Sequence, residues 1–107
     1  MQHFYTHIID LRDVHSELEI LDLSDDEKNH LILVIESSIH HVIIDTLLTE
    51  LPDAHKRMFL HHLAHNDHES IWDLLRKGLH KPEEKIKEAV QKLKTDFLED
   101  IRGVKAS

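Results

Sequence analysis

Apolar residues recur at helical spacing along most of this chain, and no stretch shows the sustained alternation of a half-buried strand. The strongest pattern lies between about residue 25 and about residue 50. Ser24-Asp25-Asp26-Glu27 reads as a capping box at its start. The Ser24 hydroxyl accepts from the Glu27 amide, and the Glu27 carboxylate accepts from the Ser24 amide. Asp25 and Asp26 place negative charge at the positive end of the helix dipole. Such a helix would be ~40 Å long. It is apolar around much of its circumference. One stripe holds Leu31, Ile35, Ile39, Val42 and Ile43; a second, on a different side, holds Leu33, Ile44, Leu48 and Leu51. Glu36, His40, His41 and Asp45 interrupt the apolar surface. A helix with two apolar stripes is central to a bundle or shared with a partner.

The remaining punctuation predicts further helices. Pro52 opens a helix to about residue 65, with Phe59, Leu60, Leu63 and Ala64 on one face. Asn66 or Asp67 caps a short helix bearing Ile71, Trp72, Leu74 and Leu75. Gly78 and Gly103 fall where residues just past helix ends fall. Lys81-Pro82-Glu83-Glu84 opens a last helix with the stripe Ile86, Val90, Leu93, Phe97 and Ile101. Glu83/Lys87 and Glu88/Lys92 are its i,i+4 pairs. Near the N-terminus, Phe4, Ile8, Leu11, Val14, Leu18 and Leu21 fit a helical face, although Ile8-Ile9 and Ile20-Leu21 also suit extended chain. The fold class is all-α: a compact bundle of about five helices around one long central helix, about 25–50. The chain reads as a single domain, 1–107, with 1–22 a helix or arm and 23–102 the bundle.

Composition narrows the functional classes. With 40% hydrophobic and 32% charged residues, the chain is that of a folded protein rather than a disordered one. The formal charge of −8, with no basic block, argues against nucleic acid and against anionic membrane surfaces. There is no cysteine, which excludes disulfides and thiol-ligated zinc. The first residues lack the regions of a signal peptide, and the longest unbroken apolar run, 31–35, is far too short for a bilayer. A cytoplasmic location is the expectation.

The stretch 23–102 resembles a family of short all-helical proteins of genome-reduced bacteria. The resemblance rests on Leu23-Ser24-x-x-Glu27-Lys28, on Leu48-x-Glu50-Leu51-Pro52 before Lys56, and on the stretch from Phe59 to Leu63. It continues through Asp67-x-x-x-Ile71-x-x-Leu74-Leu75 and Glu83-Glu84-x-Ile86-x-x-Ala89-Val90-x-x-Leu93-Lys94-x-Asp96-Phe97. These are packing and capping positions, and the family carries no established activity. The resemblance implies a compact helical fold in the cytoplasm and no site residues. The chain departs from the family's Ile-Pro before the last helix, with Leu79-His80-Lys81-Pro82 in its place.

Twelve histidines supply the candidate chemistry. His61 and His65 stand four apart on a helix, so both can face one metal ion, with His68 or Asp67 curling back from the next turn. Zinc, nickel or copper would suit such a site. His40-His41, with Ser37, Ser38 and Asp45, forms a polar band across the most apolar helix. One of that pair is expected in solvent and the other bonded at the bundle edge, with Asp45 the expected partner. Trp72 is expected in the core. No zincin motif, phosphate loop, nucleophile elbow or paired di-iron motif occurs, so no catalysis and no resident cofactor are expected. The expected function is a protein-interaction module, a homodimer using Leu33, Ile44, Leu48 and Leu51; the alternative is metal binding at His61, His65 and His68.

Overall fold

The computed structural model describes residues 3–106. Its helices are α1 (Arg12–Ile20), α2 (Asp25–Glu50), α3 (Asp53–Ala64), α4 (His68–Gly78) and α5 (Pro82–Ala106), with a 3₁₀ turn at Thr6–Ile8. No strand occurs among the described residues. The all-α bundle with one long helix is therefore the fold. It measures 48 × 23 × 18 Å, and its long axis follows from the 26-residue α2 and the 25-residue α5.

α2 and α5 pack against each other along their lengths. They are antiparallel: Lys85 at the start of α5 pairs with Glu50 at the end of α2, at 3.3 Å. α1 lies along α5, tied by Lys94 to Asp13 and by Arg102 to Glu17. α3 and α4 form a helical hairpin. The Ser24–Glu27 capping box is formed in both directions.

The core column of α2 is Ile35, Ile39, Ile43 and Leu47, an i,i+4 series fully enclosed by the bundle. Leu47 belongs to neither of the two stripes read from the sequence. Phe59, Ile71, Leu74, Leu75, Ile86 and Val90 complete the interior from α3, α4 and α5. By length and composition alone, α2 is also apolar enough to cross a membrane. The sequence expectation rested on an unbroken run, whereas an 18-residue stretch of α2 averages apolar despite the polar residues that interrupt it. In the fold its Ile35–Leu47 column is bundle core.

The α3–α4 boundary falls where the sequence places it, with Asp67 chosen over Asn66 as the cap, whereas Gly78 and Gly103 differ from the sequence expectation, each for a local reason. α3 ends at Ala64, and Asn66 adopts a left-handed φ of 52°. The Asp67 amide then donates to the His62 carbonyl and the Asn66 amide to the Leu63 carbonyl, the Schellman pattern of a helix end. Asn66 is thus spent on closing α3, and Asp67 alone caps α4 by accepting from the Ser70 amide and hydroxyl. Gly78 is the last residue of α4, with no positive φ; a Cβ there would sit 3.0 Å from Leu51 Cδ2. It is a close-approach glycine and does not follow the helix. Gly103 lies inside α5 with open space around it and ends nothing.

The N-terminal region is only partly helical. α1 buries Val14 and Leu18 as the stripe predicts. Before it, Phe4 and Tyr5 enter the bundle through a 3₁₀ turn rather than along a continuous helix. Lys94, a buried cation, holds this entry in place: its ammonium donates to the Asp10 carbonyl at 2.6 Å and pairs with Asp13 at 2.9 Å.

Candidate functional site

Three places carry the residues of interest. The first is the outer side of α2. Leu33 is 65% exposed and Val34 is 41% exposed, although both lie in the most apolar helix. Ile44 and Leu48 are half-buried and pack against the core. Leu51 is enclosed at the end of α2, against Gly78 of α4. The stripe Leu33, Ile44, Leu48, Leu51 is therefore not a continuous surface. The α3–α4 hairpin takes up its C-terminal end, and Leu51 is a core residue in the folded chain. Leu33 remains outside, in solvent.

The second place is the turn between α3 and α4. The rings of His61 and His65 lie 4.4 Å apart, centre to centre, as the i,i+4 spacing requires. His65 Nδ1 is 2.8 Å from the His61 carbonyl oxygen. Since a carbonyl only accepts, that nitrogen carries the proton and Nε2 keeps its lone pair. His68 is not part of this pair. The left-handed residue Asn66 turns the chain, and His68 at the start of α4 lines a cleft with His3, Phe4, His7 and Trp72. Among the described residues, no three His, Asp or Glu side chains are gathered as a metal-binding group. The helical spacing was legible in the sequence; the reversal at Asn66 was not.

The third place has no sequence motif. Phe4 and Tyr5 dock at the junction of α2, α3 and α4. The Phe4 ring meets Phe59 at 6.0 Å and Trp72 at 5.7 Å, both edge to face. The Trp72 indole N–H donates to the Phe4 carbonyl at 2.9 Å, so the one buried indole donor is satisfied by the arriving segment. The Tyr5 hydroxyl is 2.8 Å from His40 Nδ1. His40 therefore bonds Tyr5 rather than Asp45, while His41 stands in solvent. The His3 ring stacks on Tyr5 at 5.0 Å and lies 4.6 Å from His40. On the other side of the segment, His7 sits 5.5 Å from Trp72, and the Arg76 guanidinium lies 5.7 Å from the same indole. A cleft of about 440 Å³ opens between this segment and α4, with His3, His7, His68, Glu69 and Arg76 among its walls.

The electrostatics of this place favour the neutral forms of Tyr5 and His3. Burial, with a smaller push from Glu36, raises the Tyr5 hydroxyl to about 12, so it stays protonated. His3 is held below its ordinary value by burial first, then by His40, the amino terminus and His68, with Glu36 opposing. No contact here was readable from spacing, because Trp72 and Phe4 stand 68 positions apart and Tyr5 and His40 stand 35 apart.

No protein-family model, curated protein or solved structure matches this chain.

Proposed function

We propose that this protein is a helical interaction module of the cytoplasm that pairs with a second copy of itself through the outer side of α2. The observation that carries this reading is Leu33, 65% exposed in the most apolar helix of the chain, with Val34 beside it. Only 22% of the apolar window of α2 is buried in the single chain. A two-fold pairing would set Leu33 and Val34 of one copy against the same residues of the other. Each leucine fully withdrawn from water adds about 2 kcal/mol.

Sedimentation equilibrium at high micromolar concentration tests the reading. The expected result is a dimer that the double variant Leu33→Lys, Val34→Lys converts to monomer with unchanged helicity. Both side chains lie outside the core, so the variant should fold. A wild-type protein that is strictly monomeric overturns the proposal.

A second reading, a metal-binding surface, is favoured by the His61–His65 pair, whose fixed tautomer leaves the His65 Nε2 lone pair available. His68 does not join it, so the protein would supply two imidazoles and water or a second chain the rest. Calorimetric titration with zinc should then show stoichiometric binding that the His61→Ala, His65→Ala double variant loses. Millimolar affinity alone counts against it.

A further inference from the structure

We infer that residues 3–8 form a histidine-gated strap: docked while His3, His7, His40 and His68 are neutral, and released from the α2–α4 junction when they protonate. The contacts that hold the strap and the charges that would expel it occupy the same few ångströms. Phe4 and Tyr5 are buried, yet the chain that carries them has only a single 3₁₀ turn of its own. Its hold includes the buried Phe4 and Tyr5 rings, the Trp72–Phe4 hydrogen bond and the Tyr5–His40 hydrogen bond.

The titratable groups facing it come from α2 and α4, while α3 presents Phe59. From α2 come His40 and Glu36, and from α4 His68, Glu69 and Arg76. The strap itself brings His3 and His7, and the amino-terminal charge acts on His3. Glu36 and Glu69 are the opposing carboxylates. With four imidazoles protonated, the junction would hold those four cations and Arg76 against two carboxylates.

The Tyr5–His40 bond does not itself break on protonation. Tyr5 keeps its proton, and a charged His40 would donate from Nδ1 to the tyrosine oxygen instead. The destabilising element is charge against charge, above all His3 against His40 at 4.6 Å. The depressed His3 value gives the direction. A histidine whose proton affinity is lowered by docking favours the docked state above its ordinary value of 6.5, and loses that contribution as pH falls from there through the depressed value.

Trp72 is the chain's single tryptophan, so its indole N–H is one resolvable resonance in a ¹H–¹⁵N spectrum of the full chain. Between about pH 7.5 and about pH 5 it should move toward the free-indole position and lose its exchange protection, while far-UV dichroism keeps the helical signal. The double variant His3→Asn, His68→Asn should match wild type at neutral pH and lose most of the acid shift. Tyr5→Phe should weaken protection at every pH and retain the shift, which separates charge from hydrogen bonding. Three results overturn the strap: an indole signal that stays protected at acid pH, an acid shift that the histidine variant leaves unchanged, or a helical signal lost in step with the indole shift.

Discussion

Gly78 and Gly103 are chemically the same residue in the same kind of place, near the end of a helix, and they should respond oppositely to alanine. A methyl group on Gly78 would lie 3.0 Å from Leu51 Cδ2 and 3.1 Å from His55 Nδ1. Leu51 is core and has little room to retreat. Overpacking of this kind costs ~1–3 kcal/mol, against ~1 kcal/mol of helix propensity gained. Gly78→Ala should therefore destabilise by about 1 kcal/mol, whereas Gly103→Ala, with open space around it, should be neutral to stabilising by up to ~1 kcal/mol. Thermal melts of the two variants check this pair. Lys94 makes the same point with charge. Lys94→Met keeps the apolar stem but strands the Asp10 carbonyl and frees Asp13, and should cost about 2 kcal/mol in a denaturant titration. Neither role was legible in the sequence. A glycine after a helical pattern looks the same whether it ends the helix or admits a neighbour, and a lysine amid apolar residues does not announce the carbonyl it will meet.

Element boundaries were more legible, because capping is local chemistry. Ser24 and Glu27 meet as their spacing demands, and Ser24→Ala should cost about 1 kcal/mol of stability. The same caps set an acid limit. Bonding to the Ser24 backbone and hydroxyl lowers the Glu27 carboxyl below its ordinary 4.5, and the Ser70 hydroxyl and amide lower Asp67 below 3.8. Carboxyls depressed by folding stabilise above their ordinary values and lose that contribution as pH falls through the depressed ones. The melting temperature should therefore fall from about pH 4.5 downward, and Glu27→Gln with Asp67→Asn should shallow that limb by lowering the neutral plateau toward its acid value. Asp10, held well below the carboxylate range by Arg12, should extend the limb to lower pH. What spacing could not supply was the choice between Asn66 and Asp67. That choice depended on which residue would take the left-handed turn closing α3, and asparagine tolerates it better.

Across the whole molecule, charge and the outer side of α2 act against each other at neutral pH. A chain of formal charge −8 repels its own copy, which weakens any pairing that Leu33 and Val34 drive. Twelve histidines are enough to carry that charge through zero as pH falls past about 6.5. Weight-average mass at fixed concentration should accordingly rise on mild acidification. At neutral pH, added salt should raise it too, because screening removes the same repulsion. Near the point of zero net charge, salt should have little effect. Sedimentation equilibrium over a grid of pH and salt separates this from the strap: pairing depends on protein concentration, whereas release of residues 3–8 within one chain does not. A mass that stays flat across the grid would leave α2 no self-complementary role, and Leu33 would be an exposed leucine like Ile20, which is 79% open and has no pairing assigned to it.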